Sequence, residues 1–345
     1  MSPASTPLFD LARADLEHIL GLAAPDFAEL GGAKLFITGG TGFFGKWLLA
    51  ALACADEKLD LGLEVTVLSR EPDKFLRDNP RVGEVSAFRF ERGDVTDFSL
   101  INPAFDFILH IATDTTDFKD EAAEARRSRA IVEGTQHVLD LARASGARRV
   151  LNVSSGAIYG AKVGQLTGAR EDDAGTETPI TPYARAKWEA EQLCAESGLD
   201  FVTARAFAFL GPHLPLDAHF AAGNFMRDAR RGGPILVRGD GTALRSYLYP
   251  ADLTVWLLRV LVRGRSGRAY NVGSDEMVST AQLARIIAEA LTPAPEVTIQ
   301  SVQAHGPQNI YLPNIARAKG ELGLTVAVPL REAIARTFAF LDKRG

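Results

Sequence analysis

Length, composition and charge limit the functions open to this chain. It has 345 residues, 46% hydrophobic and 23% charged, which suits a soluble globular protein of roughly two domains. The net charge of −5 provides no broad basic field for nucleic acid or acidic membranes. No apolar run reaches membrane-spanning length, no signal-peptide core opens the chain, and the two cysteines match no metal or redox spacing. We therefore expect a cytoplasmic protein with no metal, membrane or nucleic-acid partner.

The N-terminal part is expected to be a helical extension. Within residues 1–33, Leu16, Ile19 and Leu20 belong to an apolar pattern with helical spacing. We expect this helix to pack on the outside of the domain that follows. A partner-binding arm is the alternative.

A glycine-rich turn between a strand and a helix is the first functional motif. Residues 34–38 predict a buried strand, and an apolar helical pattern begins at Trp47. Such a turn surrounds an anion with backbone N–H groups and a helix N-terminus, so it predicts dinucleotide binding. A tight turn without a ligand is the alternative. The candidate cofactor contacts are Gly39, Thr41, Gly42, Phe43, Phe44 and Gly45.

The end of the next strand bears on cofactor choice. Residues 65–68 predict a strand, followed by Ser69 and Arg70. An acid at this place binds the ribose 2′-hydroxyl, whereas an arginine can hold a 2′-phosphate. The pair favours NADP(H), with NAD(H) still possible, because Glu71 would repel a phosphate and Arg70 could instead stack on adenine.

Two further strands are predicted at residues 85–90 and 105–111. His110, in an apolar strand, is expected to be a core histidine rather than a catalyst. Asp94 could accept a hydrogen bond from adenine or serve as a turn residue, and the small Ala112 would let the cofactor pass close to the backbone. The candidate cofactor contacts at these strand ends are Asp94, Val95, Ile111 and Ala112.

The alternation of strands and helices predicts the fold class. A long helical pattern covers residues 121–144, and a fifth strand covers residues 149–154. Strands that alternate with helices form a parallel sheet covered on both faces. We expect an α/β protein with a Rossmann-type doubly wound parallel sheet.

A serine, a tyrosine and a lysine form the candidate catalytic group. Ser155 follows the fifth strand, and Tyr183 and Lys187 lie four residues apart on one helix face. A tyrosine is a poor acid–base group at neutral pH, but a neighbouring cation favours its phenolate. We therefore expect Lys187 to lower the pKa of Tyr183 and to hold the nicotinamide ribose, while Ser155 binds the same substrate oxygen. An ordinary surface pair is the alternative for Tyr183 and Lys187.

Taken together, the motifs resemble the extended short-chain dehydrogenase/reductases that act on nucleotide sugars. The resemblance covers nearly the whole chain after residue 33. It is carried by residues 38–45, 93–97, 154–155, 159–160, 183–187, Arg205, residues 211–212, 239–245, Asp252 and residues 270–273.

The resemblance implies a domain plan and a set of substrate contacts. Residues 34–205 would form the NAD(P)-binding Rossmann domain. Residues 206–345 would mainly form a smaller C-terminal α/β lobe for the nucleotide sugar, with segments returning to the first domain. A homodimer through the helices around residues 121–144 and 183–196 is also implied. The implied substrate contacts are Ser155, Gly156, Asn224, Val237 with Arg238, and Arg245; a helix cap for Asn224 and a surface ion pair for Arg245 are the alternatives.

Three functions remain open. The family's dehydratases carry Asp-Glu where Gly156 and Ala157 stand, so a 4,6-dehydratase is disfavoured, and a decarboxylase with it. We expect an NADPH-dependent 4-ketoreductase of a nucleotide-linked 4-keto-6-deoxyhexose, with Tyr183 as general acid. An NAD-dependent 4-epimerase is the alternative, and a non-catalytic nucleotide sensor is the third hypothesis.

Overall fold

The computed structural model describes residues 7–113, 120–176, 179, 181–218, 220–301 and 309–343. The strands are β1 (Lys34–Thr38), β2 (Glu64–Ser69), β3 (Phe88–Arg92), β4 (Phe107–His110), β5 (Arg149–Ser155), β6 (Phe201–Ala206), β7 (Ile235–Val237), β8 (Leu244–Ser246), β9 (Ala269–Val272), β10 (Met277–Ser279), β11 (Val297–Ile299) and β12 (Ile310–Tyr311). The helices are α1 (Arg13–Ala28), α2 (Phe43–Leu59), α3 (Pro72–Asp78), α4 (Glu121–Ser145), α5 (Pro182–Glu196), α6 (Ala221–Arg230), α7 (Pro250–Arg263), α8 (Thr280–Glu289), α9 (Ala316–Leu322) and α10 (Leu330–Asp342).

A parallel sheet of seven strands organises the molecule. Its order is β3-β2-β1-β4-β5-β6-β9, so the direction of winding reverses between β1 and β4. In doubly wound sheets, ligands bind beyond the carboxyl ends of the strands at such a reversal. At that reversal, Thr38 of β1 pairs with His110 of β4. Ser155, at the end of the next strand β5, pairs with Ala206 of β6. The predicted Rossmann-type α/β fold is confirmed.

Two small sheets lie outside the central sheet. One has the order β10-β8-β12, and the other pairs β11 with β7. Tyr311 of β12 pairs in register with Arg245 of β8, which brings a residue from near the C-terminus beside a predicted substrate contact.

The N-terminal helix α1 is fixed by buried carboxylates. Asp26 is fully buried and forms ion pairs with Arg259 and Arg263 of α7. Asp15 accepts hydrogen bonds from the Tyr249 hydroxyl (2.8 Å) and from Arg336 of α10 (2.5 Å). These contacts hold α1 against elements from distant parts of the sequence.

The third strand begins later than the sequence pattern predicts. The expected span was residues 85–90, but β3 covers Phe88–Arg92. Residues Pro80–Glu84 form a 3₁₀ turn, and the Phe88 N–H still bonds to the Val85 carbonyl at 3.0 Å. Residues 85–87, with which the predicted strand begins, therefore belong to a turn.

In the described ranges, no helix is both long enough and apolar enough to cross a bilayer. The same residues contain no cluster of three His, Cys, Asp or Glu side chains suited to a metal ion.

Candidate active site

The glycine turn forms a cradle that only glycine can build at two positions. Gly39 has φ +75°, and a Cβ there would lie 2.7 Å from the Ala112 nitrogen of the neighbouring strand end. A Cβ on Gly45 would lie 2.3 Å from the Gly40 carbonyl oxygen. Helix α2 follows with Gly42 as its N-cap and no side-chain cap bond. The first N–H groups of α2 can therefore bind a diphosphate, and these residues fit a dinucleotide.

The other predicted residues of this turn lie beside the cradle. Thr41 is half-buried in the turn, while Phe43 and Phe44 open α2. The Phe44 ring meets Phe209 edge-on, with centroids 4.8 Å apart. The cradle thus adjoins the segment that follows β6.

The ends of β1 and β4 are joined by the Thr38 side chain. Its Oγ1 accepts from the backbone N–H groups of Ile111 and Ala112, each at 3.1 Å, and lies 2.9 Å from His110 Nδ1. The other His110 nitrogen lies 3.1 Å from Thr135 Oγ1. Burial, and then the nearby Lys187, lowers the pKa of His110 to about 3. His110 is therefore a neutral core residue, as its apolar surroundings predicted.

The predicted adenosine contacts lie at the ends of β2 and β3. Ser69 is buried and its Oγ accepts from the Glu71 N–H at 3.3 Å, whereas Arg70 is exposed. Asp94 Oδ1 accepts from the Thr96 N–H (3.0 Å) and hydroxyl (2.8 Å), which is a turn arrangement. Burial raises the pKa of Asp94, but the Thr96 bonds and Arg70 outweigh it, so the pKa is lowered overall.

Val95, the residue after Asp94, packs against helix α4. A Cβ on Gly134 of α4 would lie 2.8 Å from Val95 Cγ1. Close approach of α4 to this strand end therefore depends on the missing side chain at Gly134.

The catalytic candidates converge at the end of β5. Lys187 Nζ is buried and donates to Thr113 Oγ1 (2.6 Å) and to the Val153 carbonyl (2.8 Å). Burial lowers the pKa of Lys187 to about 8 despite the opposing effect of Glu191. Ser155 Oγ accepts from the Ala157 N–H at 3.2 Å and interacts with the hydroxyl of Tyr183. Ser155, Tyr183 and Lys187 therefore occupy one site.

The expected effect of Lys187 on Tyr183 needs a correction. The sequence predicted that the lysine cation would lower the pKa of Tyr183. Burial instead raises it, and the opposing groups are the Ser155 hydroxyl and the Arg127 guanidinium. Burial therefore leaves Tyr183 a neutral phenol at neutral pH, while the Lys187 ammonium donates to Thr113 and to the Val153 carbonyl.

Gly156 lies beneath an aromatic ring. A Cβ at Gly156 would come within 2.6 Å of the Phe207 ring atoms Cε1 and Cζ. The Phe207 ring contacts the Tyr311 ring in turn, with centroids 4.9 Å apart and the ring planes tilted by 42°. The Tyr311 hydroxyl lies 3.5 Å from Ser155 Oγ. Aromatic side chains thus occupy the space next to Ser155.

The predicted diphosphate contact Arg245 is linked to this aromatic group. Its guanidinium lies 5.8 Å from the centroid of the Tyr311 ring. It donates to the Leu244 carbonyl (2.7 Å) and to both oxygens of Asn309, each at 3.0 Å. Burial lowers the pKa of Arg245. Tyr311 therefore lies between the predicted diphosphate arginine and Ser155.

The remaining predicted substrate residues lie farther out. Asn224 lies inside α6, whose N-cap is Phe220, and its Oδ1 accepts from Arg227 at 3.0 Å, so it is not the helix cap. The Val237 side chain is 1% exposed and belongs to the core, whereas Arg238 is exposed. The predicted base contact of Val237 is therefore wrong for this conformation, because the whole residue is buried and its carbonyl accepts from the Gln300 N–H at 3.0 Å.

Four residues of the site are not predicted from the sequence, namely Thr113, Arg127, Phe207 and Tyr311. Each belongs to an element that is distant in sequence from the residue it contacts. The one signal available was the position of Thr113 just after a predicted strand, where polar side chains reach the carboxyl edge of a parallel sheet.

The fold and this site define the class of protein. The features of a short-chain dehydrogenase/reductase are a parallel doubly wound sheet, a glycine cradle at the reversal of winding, a serine at the end of β5, and a tyrosine and a lysine on α5. The chain belongs to the NAD-dependent epimerase/dehydratase family, whose model matches residues 35–273. It is an enzyme of this nucleotide-sugar family.

Individual relatives and structures agree with this assignment. The chain is similar to UDP-glucuronic acid decarboxylase 1 of Arabidopsis thaliana, at 28% identity over 88% of this chain and 68% of that protein. It is 27% identical to the dTDP-glucose 4,6-dehydratase of Streptomyces griseus, over 90% of this chain and 94% of that protein. An epimerase of Methanothermobacter thermautotrophicus shares the fold, with TM-score 0.79, 23% identity and coverage of 94% and 96%. MoeE5 in complex with UDP-glucuronic acid and NAD gives TM-score 0.74 at 25% identity, over 90% of this chain and 100% of that one.

Proposed function

We propose that this enzyme reduces the 4-keto group of a nucleotide-linked 4-keto-6-deoxyhexose. The observation that carries the proposal is the position after Ser155, where Gly156 has no side chain and Phe207 fills the adjoining space. Loss of water from the sugar needs a second acid–base pair there. Among the described residues beside Ser155, the groups present are phenols, aromatic rings and the Lys187 ammonium, which already donates to Thr113 and the Val153 carbonyl. The Tyr183 phenol then suits one proton transfer to a ketone oxygen.

The relatives support a nucleotide sugar as the substrate. One relative is named for its action on UDP-glucuronic acid, another for its action on dTDP-glucose, and MoeE5 holds UDP-glucuronic acid. Arg245 and the half-buried Asn224 are our candidates for the diphosphate, since an arginine fork matches phosphate geometry.

The protonation state of Tyr183 supports the direction of the reaction. A general acid must hold its proton when the ketone binds, and burial keeps the Tyr183 phenol neutral. A reduced nicotinamide, when bound, supplies the hydride to the sugar C4. Tyr183 then gives its proton to the sugar O4, Ser155 holds that oxygen, and solvent returns a proton to the phenolate.

Purified protein tests the proposal directly. We give the protein NADPH or NADH together with a 4-keto-6-deoxyhexose linked to dTDP, CDP, GDP or UDP. We expect one molecule of cofactor to be oxidised for each molecule of sugar alcohol that forms. Bound NAD that supports interconversion of nucleotide sugars without added cofactor would show an epimerase instead. Release of water or carbon dioxide from the sugar would also overturn the reductase.

The cofactor preference is a separate prediction. The family is described as NAD-dependent and MoeE5 carries NAD, so NAD(H) is the expectation from the relatives. Ser69 and Arg70 predict NADP(H) from the residues alone. If Arg70 holds a 2′-phosphate, Arg70→Met should lower kcat/KM for NADPH by about tenfold to a hundredfold, the worth of a charge-assisted hydrogen bond, and leave NADH unchanged.

A matched control separates this effect from a general loss of charge. Arg89 is an exposed arginine of β3 that pairs with Thr66 of β2. It therefore lies away from the carboxyl ends of these strands, where Ser69 and Arg70 are found. Arg89→Met should alter neither cofactor constant. A wild-type enzyme that uses NADH and NADPH equally well would contradict the preference for NADP(H).

The homodimer implied by the resemblance stays a proposal. The α4 and α5 helices pack together and leave a groove lined by Glu133, Gln136, His137, Asp140 and Leu193, with Thr96 and Val132 beside it. Sedimentation of the purified protein would show whether a second copy covers this groove.

A further inference from the structure

The guanidinium of Arg127 lies over the ring of Tyr183. Its Cζ is 5.0 Å from the ring centroid, within the roughly 6 Å range of cation–π contacts. The Arg127 side chain is 14% exposed, so water and salt screen its charge less than they screen a surface charge. We propose that Arg127 is a positioning residue that favours the ionised form of Tyr183 and so makes this phenol a better proton donor. The inference deepens the proposed function and rests on it for the identity of the proton acceptor.

Helix packing fixes Arg127 in this place. Arg127 and Ile131 lie one turn apart on the same face of α4. Ile131 packs into a buried cluster with Ala186 and Ala190 of α5, and Tyr183 lies against that cluster. The guanidinium is therefore held by the contact between two long helices rather than by a surface loop.

The other polar groups around Tyr183 come from five elements of the described part of the chain. On α4, Glu124 Oε1 lies 3.4 Å from Arg127 Nη2 and offsets part of its charge. On α5, Lys187 directs its ammonium to Thr113 and Val153. The Ser155 hydroxyl of β5 and the Tyr311 phenol of β12 are neutral, with Arg245 on the Tyr311 ring.

The chemical effect follows from where charge forms. When Tyr183 gives its proton to the sugar O4, the phenoxide that remains carries negative charge next to the guanidinium. Burial opposes this ionisation, whereas Ser155 and Arg127 favour it. A general acid works best when its pKa approaches the working pH. Arg127 therefore assists the transfer without touching the substrate.

A titration without sugar tests the inference on the NAD-bound enzyme. The ionisation of Tyr183 is followed by tyrosinate absorbance, and each protein is referenced to the same protein carrying Tyr183→Phe. We expect Arg127→Met to raise the midpoint by about one pH unit, a tenfold change in the ionisation constant. Arg127→Lys should restore most of the wild-type midpoint, because it keeps a cation over the ring.

Glu124→Gln separates an electrostatic role from a structural one. It removes one ion-pair partner of Arg127 but leaves the guanidinium charge, so the midpoint should fall or stay in place. An equal rise in Arg127→Met and Glu124→Gln would show that Arg127 only holds α4 together and would overturn the inference. An unchanged midpoint in Arg127→Met would overturn it as well. A shifted midpoint in an enzyme that reduces no keto sugar would overturn the proposed function alone.

Discussion

Tyr183→Phe should lower kcat for ketone reduction by about 10²–10⁴-fold, the usual contribution of a positioned general acid. The substitution removes the hydroxyl that interacts with Ser155 and keeps the ring that packs against Ile131 and Arg127. The cofactor dissociation constant should therefore stay within about twofold, since the lost group acts on the sugar oxygen. Stopped-flow or steady-state rates together with cofactor fluorescence would measure both quantities.

Lys187→Met provides the comparison for this result. The Lys187 ammonium holds Thr113 and the Val153 carbonyl, so its loss should weaken cofactor binding as well as turnover. If Tyr183→Phe left the turnover of every accepted nucleotide sugar unchanged, the catalytic assignment of Tyr183 would be wrong.

The pH dependence of the reaction should follow the protonation of Tyr183. Tyr183 is protonated at neutral pH because burial raises its pKa. The reduction rate should therefore be flat around neutrality and fall as the alkaline pH removes this proton. The reverse oxidation of the alcohol should rise over the same range, and this rise should be absent in Tyr183→Phe.

Arg205→Met should lower the free energy of unfolding by about 3–5 kcal/mol, the cost of leaving one charge of a buried ion pair without its partner. Arg205 and Glu191 have side chains that are 6% and 5% exposed, and they are joined by contacts of 3.1, 3.2 and 2.7 Å. Arg205 also donates to the Tyr159 hydroxyl (2.9 Å) and to the Glu171 carbonyl (2.8 Å). Urea unfolding monitored by fluorescence would give the change in midpoint at constant slope.

The double variant Arg205→Met/Glu191→Leu tests whether the uncompensated charge is the cause. A well-packed apolar pair can replace a buried ion pair with little loss, so the double variant should recover much of the stability lost in the single one. A double variant no more stable than Arg205→Met would instead assign the loss to Tyr159 and Glu171.

The fold was predictable from the sequence because its signals are local. The strand β1 begins and ends as predicted, since a buried parallel strand reads as one apolar run and glycines mark its end. The 25-residue helix α4 extends one residue beyond its predicted end, because Gly146 in the left-handed conformation closes it. Ser155, Tyr183 and Lys187 were found for a similar reason, since helical spacing and strand order place them.

The rest of the site depends on contacts that spacing does not encode. Nothing near Arg127 indicates that it covers Tyr183, because helix packing decides which face of α4 meets α5. The direction of the Tyr183 pKa shift depends on burial, which a spacing of four residues does not report. Val237 was assigned to a ligand by resemblance, yet pairing of β7 with β11 places its side chain in the core.

The contact between Gly156 and Phe207 restricts how this enzyme could change its reaction during evolution. An acidic side chain at position 156 would collide with the Phe207 ring, so that substitution alone is unfavourable. Room for that side chain requires either a smaller residue at position 207 or rotation of the Phe207 ring, and either change removes the ring that contacts Tyr311 beside Ser155. A path toward water-eliminating chemistry therefore involves a second side chain, and the change there weakens the present contacts of Tyr311.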